Sequence, residues 1–389
     1  MKYDFETLRD RRGTGSDKWE LMLQQNPNAG DSVPLSVADM EFVNPPEITE
    51  GLKAYLDKAI LGYTKPTDGY YDAVIDWERR RHGFSVERQW IVPTSGVVPA
   101  IYYMVSAYTE PGEGVIIMPP VYYPFRMAIE DTGRSVVENP LICTEHGYQI
   151  DFQDLEEKAA REEVKLLIFS NPHNPVGRVW KREELERLAH ICLKYGVFVI
   201  SDEIHQDLVM PGHRHVSMGT LEPRLVENCA VCTAPSKTFN TAGLSTSNMI
   251  IPDAERREAF VRMKDRVKGG QGNMIGYRAC EIAYNQCEQW LEQLLEQINE
   301  NRLMVEGFFA EHFPKVRVYT MEGTYLMWLD FNPLGYSFQE LERKLQQEAR
   351  VFLDEGYIFG RQGEGFERIN IACPSRVLKE ALERMKAVL

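Results

Sequence analysis

Residues 164–177 read VKLLIFSNPHNPVG, and this stretch decides the fold. From Val164 to Phe169 the chain is apolar but for Lys165, and a turn of asparagine, proline and histidine follows at once. An apolar run that does not alternate with polar residues suits a strand covered on both faces, as in a parallel sheet. The pattern recurs. Val197–Ile200 runs into Ser201-Asp202-Glu203-Ile204-His205, and Cys229–Cys232 into Thr233-Ala234-Pro235-Ser236-Lys237-Thr238. Trp90–Val92 runs into Pro93-Thr94-Ser95-Gly96-Val97, and Val115–Met118 into Pro119-Pro120-Val121-Tyr122. Asn248–Ile251 makes a sixth strand. Amphipathic stretches at Asp151–Arg161 and Lys181–Tyr195 read as helices, and Asn44-Pro45-Pro46-Glu47 reads as a helix start with Asn44 as cap. Strands alternating with helices predict an α/β fold with a mostly parallel sheet.

Outward from this region the character changes. Beyond residue 285, Trp290, Leu291, Leu294, Leu295, Ile298, Met304 and Val305 keep helical spacing over a long segment. Strands are expected at Thr324–Phe331 and Arg368–Ala372, and helices at Ser337–Arg350 and Ser375–Leu389. The expectation is a large domain over 46–285 and a smaller α+β domain made of 1–45, an irregular arm, with 286–389. A length of 389 residues fits two domains of roughly 150 residues or more.

Composition excludes several classes. A net charge of −14 repels phosphate backbones, so no nucleic-acid partner is expected. The charged N-terminus lacks a signal-like apolar stretch, and no run is long enough to span a bilayer, so a cytoplasmic protein without membrane contact is expected. Seven scattered cysteines argue against a disulfide framework. Cys229 and Cys232 sit three apart on a strand, facing opposite sides, and read as packed thiols. No metal site is expected. The His213–His215 loop reads as solvated, and Gly269-Gly270-Gln271-Gly272 as a flexible active-site loop near a dimer interface or a simple helix break.

In sheets of this kind ligands sit beyond the carboxyl ends of the strands. Five strand ends deliver an acid, an amide, a lysine, a helix start and an aromatic ring to one rim. These suit pyridoxal phosphate. Lys237 follows a buried strand, where desolvation lowers its pKa, and would form the Schiff base. Asp202 would keep the pyridine nitrogen protonated, so that the ring draws electrons. The turn Ser95-Gly96-Val97 opens a helix whose free N–H groups suit a phosphate. Tyr122 would stack on the ring and Asn174 would bond its hydroxyl. Singly each residue has a plainer reading: Asp202 a helix cap, Asn174 turn chemistry, Tyr122 packing, Lys237 a surface lysine. The joint set, in order and at these strand ends, carries the functional one.

The segments SNPHNPVG (170–177), SDEIH (201–205), SKTFNTAGL (236–244), GTYLMWLDF (323–331) and RINIACP (368–374) resemble those of fold-type I pyridoxal-phosphate enzymes of the class I/II aminotransferase superfamily. RRGTGSDKW (11–19), VADMEF (37–42), GYT (62–64), SGVVPAI (95–101) and His205 are similar to one branch, the MalY/PatB-type, cystathionine β-lyase-like C–S β-lyases. The resemblance implies that the Gly96 and Val97 amides, with Ser236, bind phosphate. It implies further that Arg368 clamps the substrate α-carboxylate. Tyr63 would reach into the other subunit's site and relay a proton there, which implies a homodimer with composite sites. Two positions depart from the wider superfamily. Ser245 stands where many members have a phosphate-binding arginine, and His205 where many have tyrosine. The imidazole would titrate nearer neutral pH, either beside the ring hydroxyl or in a packing role.

The implied activity is β-elimination. Lys237 takes the Cα proton of a sulfur amino acid such as cystathionine, a thiolate leaves from Cβ, and the remainder hydrolyses to pyruvate and ammonia. The alternatives are a class I/II aminotransferase and an additional regulatory, protein-binding role.

Overall fold

The computed structural model describes residues 3–145, 147–269 and 272–389. Gly270 and Gln271 of the glycine-rich loop, and Met1 and Lys2 of the arm, lie outside the described residues. Seven strands form the main sheet. These are β1 (Ile91–Thr94), β2 (Gly114–Ile117), β3 (Ser135–Glu138), β6 (Val164–Ser170), β7 (Phe198–Asp202), β8 (Cys229–Thr233) and β9 (Ser247–Ile250), while β4 (Ile142–Thr144) and β5 (Gly147–Gln149) make a separate hairpin. The order across the sheet is β1-β9-β8-β7-β6-β2-β3. β9 pairs antiparallel with both neighbours, and the remaining pairs are parallel. The carboxyl ends of β1, β2, β6, β7 and β8 therefore share one rim.

The sheet is covered on both sides, and this is why its strands are apolar throughout. Leu167, Phe169, Val199, Cys229 and Val231 enter one core, while Leu166, Ile168, Ile200, Ala230 and Cys232 enter the other. Cys229 and Cys232 thus face opposite sides, buried as free thiols. Each large aliphatic side chain buried this way contributes about 1.5–3 kcal/mol. The edge strand β3 escapes a reading by apolar runs because Ser135 is exposed and the rest only half-buried.

A second, antiparallel sheet runs β10-β11-β13-β12, from β10 (Arg317–Val318), β11 (Leu326–Asp330), β12 (Asp354–Glu355) and β13 (Phe366–Asn370). The long helix Glu288–His312 buries Trp290, Leu291, Leu294, Ile298 and Val305. Its buried Asn301 donates to the carbonyls of Ile371 and Cys373, both at 2.8 Å, and so ties it to the end of β13. The expected helix over 337–350 is shorter, Phe338–Arg343, and loosens into a wide turn over Lys344–Ala349.

The N-terminal segment lies along the second sheet. Leu35 N–H donates to the Phe352 carbonyl at 2.8 Å, and Asn370 N–H to Leu35 at 2.9 Å. The helix that follows it begins one residue later than expected. Pro45 is its cap and Pro46 its first residue, because the Asn44 side chain donates instead to the carbonyls of Phe239 and Asn240.

Candidate active site

The rim of the main sheet surrounds a cavity of about 190 Å³. The structure brings Gly96, Val97, Tyr122, Asn174, Asp202, His205, Ser236 and Lys237 together on its wall. β8 ends in the short helix Pro235–Thr238, which carries Ser236 and Lys237. β7 ends on Asp202, and the turn after β6 carries Asn174. Gly96 is the cap of the helix Val97–Tyr108, and no side chain closes that end.

Lys237 is half-buried and donates to the Ala38 carbonyl at 2.6 Å. Burial lowers its pKa to about 8, against the opposing pull of Asp39 and Asp202. Asp202 is buried, and desolvation raises it to about 7, although the Ile204 N–H and the Lys237 charge favour the carboxylate. A carboxyl held in this state gains most from a cationic partner.

His205 departs from the expectation. Burial, then the charges of Lys237 and Arg368, hold its pKa well below the usual histidine range, so the imidazole is neutral at ordinary pH. Its Nδ1 has no hydrogen-bond partner among the described residues. Tyr122 is held above the usual phenol range by burial. Ser245, with φ +47°, also lines the cavity. Serine puts a hydroxyl, not a charge, at that position.

Arg368 stands behind Asn174 rather than on the cavity wall. Its Nη1 donates to Asn174 Oδ1 at 2.8 Å, and its Nε to Asp354 Oδ2 at 3.1 Å. Tyr63 is not in this chain's own site; it is fully exposed, and Ile60 and Leu61 beside it are largely so. His215 also departs from its solvated reading. It is buried and pairs through Nε2 with Glu203 Oε2 at 3.0 Å, whereas His213 is exposed. Among the described residues no group of three or more His, Cys, Asp or Glu could hold a metal.

Sequence reasoning missed Ala38, whose carbonyl also accepts from the Tyr325 hydroxyl at 2.8 Å. The motifs RRGTGSDKW and VADMEF proved informative together. Buried Lys18 pairs with Asp39 at 2.9 Å and Glu41 at 2.7 Å, and Arg11 reaches the same two carboxylates, each at 2.8 Å. Behind the lysine, Thr238 donates to buried Asp207 at 2.8 Å, and Asp207 also holds His82 at 2.8 Å.

The residues fit pyridoxal phosphate by their chemistry. An open helix end with the hydroxyls of Ser95, Ser236, Ser245 and Thr246 suits a phosphate. A buried carboxyl, a lysine of lowered pKa and an aromatic wall suit the ring. A family profile for aminotransferase class I and II matches residues 31–385. The chain belongs to this family. Among family members it is 42% identical to the Bacillus subtilis protein named cystathionine beta-lyase PatB, over 99% of this chain and 100% of the relative. It is 31% identical to protein MalY of Escherichia coli, over 98% and 97% of the two chains. It also resembles crystalline cystalysin from Treponema denticola, which contains a pyridoxal 5'-phosphate cofactor. The TM-score is 0.98, at 47% identity over 100% of this chain and 99% of the other.

Proposed function

We propose that this chain is a pyridoxal-phosphate-dependent C–S β-lyase that converts cystathionine or a related sulfur amino acid to a thiol, pyruvate and ammonia. One observation carries the reading: an amine of lowered pKa and a buried carboxyl share a cavity whose end is an uncapped helix N-terminus. Full-length similarity to a protein named cystathionine beta-lyase supports it.

The bound cofactor would supply an electron sink for negative charge at the substrate Cα. Asp202 would hold the proton of the ring nitrogen, gaining the cationic partner it lacks when merely buried. The Gly96 and Val97 amides and Ser236 would hold the phosphate. Tyr122 would lie against the ring, and Asn174 would bond its hydroxyl oxygen. Arg368 would take the substrate α-carboxylate. Lys237, with a pKa near 8, exists partly as the free amine at neutral pH and would accept the Cα proton. His205, uncharged, adds no second cation beside it.

Tyr63, with exposed Ile60 and Leu61, supports a homodimer in which Tyr63 enters the neighbouring site. Seven free thiols support the cytoplasm as its location. Among the described residues no helix is long and apolar enough to cross a membrane. We keep 46–285 as the large domain, and 1–45 with 286–389 as the small one.

An aminotransferase is the second reading, favoured by the family itself. Among the described residues lining the cavity Lys237 is the sole cation, which disfavours a dicarboxylate substrate. Cystathionine without any keto acid should yield pyruvate continuously. Amino transfer to an added keto acid, with no pyruvate in its absence, overturns the lyase reading.

A further inference from the structure

The guanidinium of Arg368 has five N–H groups and three are already engaged. Nε and Nη2 both donate to Asp354 Oδ2, and Nη1 donates to Asn174 Oδ1. One N–H on each terminal nitrogen is left to donate to a substrate carboxylate. Arg368 is buried, and its guanidinium lies over the Phe359 ring at 4.7 Å. Asp354 and Arg368 face each other across β12 and β13. The guanidinium is thus held by the Asn174 amide oxygen, the Phe359 ring and Asp354 Oδ2, of which Asp354 is the one charged partner and takes two of the three bonds.

That same oxygen does a second thing. Asp354 Oδ2 accepts the backbone N–H of Val37 at 3.0 Å. Val37 has φ +54°, a left-handed conformation costly for a β-branched residue. The turn is held against that cost by Asp354 and by Asn370 Nδ2, which donates to the carbonyls of Val37 and Asp39, both at 2.7 Å. The next residue is Ala38, whose carbonyl seats Lys237. One side chain therefore connects the arginine on β13 with the turn that receives the lysine.

We propose that Asp354 is a positioning residue: it aims the free fork of Arg368 at the substrate carboxylate and keeps that fork in register with the seat of Lys237. It touches neither cofactor nor substrate. The proposal rests on the reading of Arg368 as the carboxylate ligand, and its test separates the two.

The test compares holoenzyme of wild type, Asp354→Asn and Arg368→Ala by calorimetric binding of 3-(methylsulfanyl)propionate and of its primary amide. The acid has the carboxylate and thioether but no amine, so it binds without reacting with the cofactor. Asp354→Asn should weaken the acid by about tenfold and leave the amide unchanged, as expected for a misdirected charge-assisted pair. In turnover of the amino acid, KM should rise by a similar factor. The kcat should change less than about threefold, because the neutral amide weakens the charged pair with Arg368 while Asn370 still holds the turn at Val37 and Asp39. If Asp354→Asn binds the acid within twofold of wild type while Arg368→Ala does not, Asp354 does not position the arginine. If Arg368→Ala itself leaves acid binding unchanged, the arginine reading falls and the proposal falls with it. Should the asparagine variant fail to fold, Asp354→Glu keeps the charge but moves the oxygen by one methylene. Weakening of the acid alone supports the proposal there; equal weakening of acid and amide marks a merely structural role and overturns it.

Discussion

Lys237 and Asp202 are both pushed toward the uncharged form by burial, and each offsets part of the other's shift. Cofactor-free protein should therefore carry, at Lys237, a lysine of unusual reactivity. Its labelling by an amine reagent, read by peptide mass spectrometry, should climb between about pH 7 and 9, while surface lysines lag. In holoprotein, Lys237→Ala should abolish both pyruvate release and the yellow absorbance band that survives dialysis. A second buried acid makes a stability prediction. Glu78 accepts from Gln206 Nε2 at 2.8 Å, and burial raises its pKa to about 8. The folded state then holds a proton that the unfolded chain releases above its ordinary pKa, so stability falls as pH rises toward 8. Glu78→Gln removes that penalty. Its melting temperature should exceed wild type by about 2–5 °C at pH 8 and match it near pH 5. At this scale Lys237, Asp202 and Asn174 were legible because each follows an apolar run that ends on the rim. Ala38 was not, because a main-chain carbonyl has no side-chain signature. Asp354 was hidden for another reason: its importance depends on which residue stands across from it.

The elements were legible wherever a strand is buried on both faces. The runs at 164–169, 197–200 and 229–232 all became strands of the main sheet, extended by one or two residues toward the rim. Two-residue β12 offered no pattern to read, and it forms only because Asp354 and Glu355 pair with Arg368 and Glu367. The helix Met274–Gln286 shows how an element far from the cavity in sequence shapes it. Asn273 caps this helix by accepting from Gly276 N–H at 2.8 Å and also donates to the Leu244 carbonyl at 2.9 Å. A Cβ on Gly276 would overlap Thr246 Oγ1 and the Leu244 carbonyl. Both Ser245 and Thr246 line the cavity, so the loop cannot yield without moving that wall. Gly276→Ala should cost about 1–3 kcal/mol in stability and leave the protein prone to losing cofactor on dialysis. A melting curve and the retained absorbance check the two effects separately.

Across the whole molecule, the acidic balance and the local cations answer to different distances. A net charge of −14 belongs to the whole chain, whereas Lys237 lines the cavity and buried Arg368 stands just behind its wall. Charge does not bear on where Tyr63 stands, and the GYT motif bears on it only through the resemblance, whereas in the structure its side chain meets nothing in its own chain's cavity. Ile60 is 91% exposed and Leu61 74%, beside a fully exposed Tyr63, and such a run of apolar surface calls for cover by another molecule. If a second copy supplies that cover through a two-fold axis, each site takes Lys237 from one chain and Tyr63 from the other. Two inactive proteins should then repair each other. Lys237→Ala lacks the amine and Tyr63→Ala lacks the ring, but a mixed dimer contains one site with both. After unfolding and refolding a one-to-one mixture, half the dimers are mixed and each carries one intact site, so about a quarter of wild-type pyruvate release should return. Refolding either variant alone should restore none. If the mixture stays as inactive as its components while sedimentation shows mixed dimers, Tyr63 does not act across the interface, and the composite site is wrong even though the dimer stands.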